Sequence, residues 1–169
     1  PFIQRLFPGQ KIALITLAHR RLGFMVKPGN PKKIHEIDDL ARLEVRFINR
    51  QAGSGTRVFL DAQLKMKGLK SGRIAGYLDE RSTHSEIAAE VAEAHADTGI
   101  GLEAAAKAYG LDFILLTTER YDLAVRESAL HLPPFQQLVN WLKEDDFRVL
   151  LNRLGGYESI ESGNVIWVI

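Results

Sequence analysis

The chain predicts an α/β fold with a mostly parallel sheet, and two stretches carry that expectation. Residues 45–68, VRFINRQAGSGTRVFLDAQLKMKG, run from a short apolar strand ending at Phe47 and Ile48 through a glycine-rich turn directly into a helix. Residues 96–116, ADTGIGLEAAAKAYGLDFILL, repeat the alternation. They read as a short strand, a glycine-rich turn at Gly99 and Gly101, an alanine-rich helix ended by Gly110, and a buried strand from Phe113 to Leu116. A βαβ unit following a strand–helix pair calls for right-handed crossovers and for ligand binding beyond the carboxyl ends of the strands. Both glycine-rich turns are expected on that edge.

Composition bounds the rest. With 169 residues, 46% of them apolar, the chain can bury an ordinary core as one domain or two small lobes. Lysine and arginine (22) exceed aspartate and glutamate (21) by one, so no global field of the kind that drives nonspecific nucleic-acid binding exists. The absence of cysteine excludes disulfides and thiolate metal sites and fits a reducing compartment. No run is long and apolar enough for a membrane span.

Taken in order, Lys11 to Val26 reads as two strands joined by a turn near Arg20 to Gly23. That turn would carry the basic cluster His19, Arg20 and Arg21, either solvated or beside a ligand. KPGNPKKI is a bend punctuated by Pro28 and Pro31, and a short helix follows from Glu36 to Arg42. The helix Thr56 to Lys67 places Phe59, Leu60, Gln63 and Leu64 on one side and stops at Gly68, the expected C′ glycine. Ile74 to Leu78 reads as a brief strand. Thr83 to Ala96 reads as an amphipathic helix with a Thr83/Glu86 capping box. Its inward face is Ile87, Ala88, Val91, Ala92 and His95, with His95 a packed core histidine, and Glu86, Glu90 and Glu93 point outward. Arg120 to Val125 adds a strand, and Pro133 and Pro134 open a helix with Phe135, Leu138, Val139 and Leu142 toward a core and Trp141 packed. A second helix runs from Asp146 to Gly155, and Asn164 to Ile169 is a terminal strand.

The turn at Gln51 to Arg57 admits two readings. Gly53 and Gly55 allow close backbone approach, while Ser54, Thr56 and Arg57 bring hydroxyls and a cation to a helix start, which together make a seat for a small oxyanion. Alternatively, the glycines serve positive φ, Ser54 caps the helix and Arg57 is solvated. A P-loop is excluded, because Thr56 stands where the lysine is needed, and a Rossmann fingerprint is missing. The Thr83–His84 helix start offers a second oxyanion contact, or a cap and an exposed first-turn histidine.

GNPKKI, VRFINRQAGSGTR, THSEIAAEVAEAHADTGIGLEAAAKAYGLDFILL, ERYDLAV and FRVLLNRLGGYESIESG together resemble the type II periplasmic-binding-protein superfamily. The likeness is strongest to its cytoplasmic branch, similar to periplasmic molybdate-binding proteins. In that branch the domain is attached to molybdopterin-biosynthesis proteins of the MoeA type and to molybdate-responsive or helix-turn-helix transcription regulators. The resemblance implies two α/β lobes with helix N-termini converging on an anion in a cleft. It places ligand contacts at Asn49, Arg50, Gln51, Ser54, Gly55, Thr56, Arg57, Thr83 and His84. Residues 44–116 would be a complete second lobe. Residues 1–43 and 117–169 would be a partial first lobe with hinge strands, truncated relative to the family or completed by a partner chain.

The expectation is therefore a noncatalytic, cytoplasmic ligand-binding and sensing domain linked to molybdenum-cofactor biosynthesis or its regulation. It would need no cofactor, bind molybdate, tungstate, sulfate or phosphate, and signal to an attached domain or a homodimer partner. An enzyme domain of molybdopterin biosynthesis is the alternative. Against it stand the lack of a cysteine nucleophile, of a Ser–His–carboxylate motif and of a carboxylate cluster for Mg²⁺. A second alternative is the effector domain of a helix-turn-helix regulator whose DNA-binding part is absent. No basic recognition helix is legible, so this segment is expected to make no nucleic-acid contact.

Overall fold

The computed structural model describes residues 2–168. In chain order these form α1 (Phe2–Leu6), β1 (Ile12–Val26), a 3₁₀ turn (Ile37–Ala41), β2 (Phe47–Arg50), α2 (Gly55–Lys67) and a second 3₁₀ turn (Ser71–Arg73). Then come β3 (Glu80–Arg81), α3 (His84–Ala92), β4 (Thr98–Leu102), α4 (Glu103–Ala108) and β5 (Asp112–Arg126). The remainder is α5 (Glu127–Leu130), α6 (Pro133–Trp141), α7 (Asp145–Leu154), β6 (Tyr157–Glu158) and β7 (Val165–Val168). The chain divides into two compact units. One is contiguous, Arg21–Thr117; the other joins the residues up to Arg20 to those from Thr118 onward, so β1 and β5 each run through both.

In the contiguous unit the strand order is β3-β2-β4-β1-β5. β3, β2 and β4 are parallel, with Asn49 opposite Glu80 and Ile48 opposite Gly99, whereas β1 joins β4 antiparallel with Phe24 opposite Ile100. Side chains alternate across the pleat and build a core on each face. Phe24, Val26, Phe47, Ile100 and Leu102 pack with Leu60 and Leu64 of α2 and with Ile37 and Leu40 on one face. Met25 and Ile48 pack with Ile87, Ala88 and Val91 of α3 and Ala105 and Ala106 of α4 on the other. Each fully buried Ile, Leu or Phe contributes about 1.5–3 kcal/mol. The helices are therefore fixed by the strands they follow.

The residues on either side of α2 explain its bounds. Ser54 is extended (φ −68°, ψ 148°) and its Oγ accepts the Arg57 N–H, and Gly68 ends the helix at φ 65°, as the C′ position requires. α3 carries the expected reciprocal capping box between Thr83 and Glu86. It ends at Ala92, four residues short of the expected bound, with Ala94 at φ 65°.

The discontinuous unit has its own core of Ala13, Ile15 and Ala18 on β1, Val125 on β5, Leu130, Phe147 and Leu151 from the helices, and Leu142 just after α6. β7 and β6 pair antiparallel with the first part of β1. α6 begins at the two prolines as expected, and Trp141 lies edge-on to Phe147 with ring centroids 4.8 Å apart. The last residue of the expected terminal strand, Ile169, lies outside the described residues.

Several expectations are corrected. β1 is one strand of 15 residues with no turn at Arg20 to Gly23. The basic cluster sits within it and is partnered: His19 Nε2 hydrogen-bonds Glu161 (2.7 Å), and Arg20 and Arg21 ion-pair with Glu119 (2.6 Å) and Glu103 (2.9 Å). Likewise Phe113 to Leu116 and Arg120 to Val125 belong to one strand, β5. Ile74 to Leu78 is turn, and the strand beside β2 is instead Glu80–Arg81. Gly99 and Gly101 lie inside β4, not in a turn, because the space beside them is filled by Ile87, Ile48 and Met25. His95 is exposed beyond the end of α3, with Nδ1 3.2 Å from Glu90 Oε2, and Ala92 is exposed too.

Candidate functional site

Three parallel strands, each followed by its helix, bring the starts of α2, α3 and α4 to the carboxyl edge of β3-β2-β4. The loop after β2, Gln51 to Ser54, closes through Ser54 N to Gln51 O at 3.2 Å with Gly53 at φ 85°. Ser54 Oγ satisfies the Arg57 N–H, and the Ser54 carbonyl accepts from Val58 N. The N–H groups of Gly55 and Thr56 make no hydrogen bond among the described residues, and neither does the Thr56 hydroxyl. Thr56 is 5% exposed, while Gly55 is exposed with open space where a Cβ would stand. The result is a set of neutral donors at the positive end of a 13-residue helix.

Arg57 behaves differently from the expected ligand cation. Its side chain is 9% exposed and turned into the protein, with Nη1 2.7 Å from Glu80 Oε1 and Nε 3.2 Å from both Asp61 Oδ1 and Tyr77 Oη. Nη1 also reaches the Arg50 carbonyl at 3.4 Å, and the guanidinium stacks on the Tyr77 ring at 4.1 Å. Burial opposes its charge, but the hydrogen bonds it donates to Tyr77 and Glu80, together with the Asp61 charge, outweigh burial and raise its pKa. Burial, with the hydrogen bond to Asp61, pushes the Tyr77 phenol up.

Asn49, Arg50 and Gln51 hold strands together. Asn49 is buried, donates from Nδ2 to the Tyr77 carbonyl (2.9 Å) and accepts the Arg50 N–H (3.0 Å). Arg50 donates from Nη2 to Ser82 O at 2.8 Å. Gln51, with its amide nitrogen facing the next loop, donates to Ser82 O at 3.1 Å and Arg81 O at 3.3 Å. These contacts pin the loop after β2 to the loop after β3.

At the start of α3 the Thr83 hydroxyl accepts the Glu86 N–H (3.1 Å), and Glu86 Oε2 accepts the N–H groups of Thr83 (2.8 Å) and Ser82 (2.9 Å). The backbone hydrogen bond from Thr83 holds the Glu86 carboxyl below the usual range. His84 is half-buried against β4, its Nδ1 3.4 Å from where a Cβ on Gly101 would lie. It is not an exposed first-turn residue.

The structure thus brings Ser54, Gly55 and Thr56 together as an open donor set, and gives Asn49, Arg50, Gln51 and Arg57 supporting contacts beneath it. Glu80, Tyr77 and Asp61, which hold Arg57 beneath this donor set, do not stand out in the sequence. The one local signal for them is the Arg57–Asp61 spacing of four, one helical turn. Among the described residues no group of three or more His, Cys, Asp or Glu side chains is placed to hold a metal ion, and no helix is long and apolar enough to cross a membrane.

An open sheet with helices on both faces and donor groups at its carboxyl edge is the periplasmic-binding-protein type of α/β fold. The chain belongs to the PBP superfamily domain family, whose model matches residues 1–143. It is 38% identical over 170 aligned residues to "Uncharacterized protein YvgK" of Bacillus subtilis (strain 168), covering 98% of this chain and 53% of that protein. This chain therefore spans about half of that relative's length. Among solved structures, PEB3 bound to L-phospholactate superposes with a TM-score of 0.56 at 17% identity, covering 86% of this chain and 68% of that one. An ancestral arginine-binding protein bound to arginine superposes with a TM-score of 0.59 at 20% identity, covering 85% and 64%. These structural likenesses concern the fold.

Proposed function

We propose that the chain is a noncatalytic ligand-binding module that holds a small oxyanion at the Ser54–Gly55–Thr56 helix start. The observation that carries this reading is the pair of N–H groups on Gly55 and Thr56 and the Thr56 hydroxyl, all without a hydrogen-bond partner among the described residues. They lie at the edge of a parallel sheet where ligands of α/β folds gather. One solved structure of this fold holds L-phospholactate and another holds arginine. The neutral donors here suit an anion of the first kind. Helix-terminus and charge-assisted contacts are worth about 0.3–3 kcal/mol each, so micromolar affinity requires several of them acting in a desolvated setting.

The resemblance of NRQAGSGTR and its neighbours to the molybdate-binding branch makes molybdate and tungstate the first ligands to test. The setting we propose is cytoplasmic molybdenum-cofactor biosynthesis or its regulation, with the signal passed to an attached domain or partner chain. The test is a thermal-shift series with molybdate, tungstate, sulfate, phosphate and chloride. A specific oxyanion at a hundred times its Kd adds about 2.7 kcal/mol, a rise of about 5–10 °C for a chain of this size. No oxyanion exceeding chloride would overturn the reading.

A further inference from the structure

We propose that Glu80 is the specificity-determining residue of the oxyanion seat, a fixed negative charge that holds down the affinity for doubly charged anions relative to singly charged ones of the same shape. This inference rests on the seat described above. One Glu80 oxygen lies 2.7 Å from Arg57 Nη1, and the other accepts, at 3.4 Å, the N–H of Ala52 in the turn itself. Asp61 adds a second carboxylate to the same guanidinium. The cation that the sequence places at the helix start is thereby neutralised from within, and the donors left open toward a ligand, on Gly55 and Thr56, are uncharged.

Glu80 comes from β3, across the parallel pairing with Asn49, and its side chain is 33% exposed. The carboxylate is therefore held at the edge where the ligand sits and not deep beneath it. A fixed charge acts on a ligand in proportion to the ligand's own charge. Removing it must improve the binding free energy of a dianion twice as much as that of a monoanion, so the fold-change for the dianion is the square of that for the monoanion. Size and hydrogen-bond geometry do not produce such a relation.

Tungstate and perrhenate are tetrahedral oxyanions of similar size carrying two charges and one. Titration calorimetry of each against the unaltered chain, Glu80→Gln and Glu80→Asp tests the proposal. Glu80→Gln keeps a hydrogen-bonding group in place, and we expect tungstate to tighten about tenfold and perrhenate about threefold. Glu80→Asp keeps the charge and should keep the tungstate-to-perrhenate ratio of the unaltered chain. Equal gains for both anions in Glu80→Gln, no change, a loss of both, or a shifted ratio in Glu80→Asp would each overturn it. If neither anion binds the unaltered chain, the seat itself is wrong and this inference falls with it. Binding with an unaltered ratio in Glu80→Gln removes the inference alone.

Discussion

Glu80 and Arg57, 23 residues apart in the chain, meet with 2.7 Å between Oε1 and Nη1. The pair ties the start of α2 to β3, and Tyr77 completes it by stacking under the guanidinium and donating from Oη to Asp61 at 2.5 Å. Arg57 is thus a structural strut at the start of α2.

Arg57→Ala should therefore act on stability first. Removal leaves Glu80 and Asp61 without their cation, but both are partly exposed and can rehydrate, so the cost is about 1.5–3 kcal/mol and not the 3–5 of a deep ion pair. Thermal melting should fall by about 3–12 °C. Loss of oxyanion binding with an unchanged melting temperature would instead make Arg57 a direct ligand contact.

Thr56→Val separates binding from folding. The substitution keeps shape and removes a hydroxyl that bonds to nothing among the described residues. The melting temperature should stay within about 3 °C, while oxyanion affinity falls about three- to tenfold, the worth of one hydrogen bond. Unchanged affinity by calorimetry would remove Thr56 from the site.

Gly99→Ala tests the packing of β4. A Cβ there would stand 2.4 Å from Ile87 Cγ2 and 2.8 Å from the Ile48 carbonyl oxygen, and backbone cannot step aside as a side-chain end can. The expected loss is about 1–3 kcal/mol in chemical denaturation, because overpacking must push α3 off the sheet.

Acid should weaken the bend before the 3₁₀ turn through Asp39. Burial works against the ionised carboxylate, but the N–H groups of His35 (2.8 Å) and Glu36 (3.0 Å) and the nearby Arg42 charge outweigh it and hold the pKa below its ordinary value. A depressed carboxylate stabilises the fold above its unfolded pKa and loses that contribution as pH falls through its folded pKa. Asp39→Asn should cost about 1–2 kcal/mol at pH 7, and the difference from the unaltered chain should shrink below about pH 4. A difference independent of pH would show that the charge is not what matters.

The parts of the fold that were legible were those written locally. Ser54 before α2, Gly68 after it and the Thr83/Glu86 box fix helix ends through bonds that span three or four residues. The two 15-residue strands were not legible, since AHRR and TTER each place polar residues where a turn is the cheaper local reading. These polar side chains are tolerated inside strands because the partners come from far along the chain: Glu161 for His19, Glu119 for Arg20 and Glu103 for Arg21.

The candidate site divides the same way. The donors of Gly55 and Thr56 follow from a glycine-rich turn opening a helix, which the sequence displays. The fate of Arg57 does not, because Tyr77 and Glu80 reach it only after β3 pairs with β2. Gly99 and Gly101 carry the opposite lesson. A glycine in a strand and a glycine in a turn look alike until the side chains that crowd it are known. His95 followed the helical period of α3 past the point where Ala94 breaks it.

The passage of β1 and β5 through both units sets an order of events during synthesis on the ribosome. Residues 21–117 form a continuous stretch whose partners are all present once Thr117 has emerged. The other unit needs the segment before Arg21 to wait for the segment after Thr117, so β1 and β7 pair only once the later segment has been made. Nascent chains arrested just after Thr117 has cleared the ribosome exit should already protect α2 and α3 from protease while leaving the beginning of β1 open to cleavage.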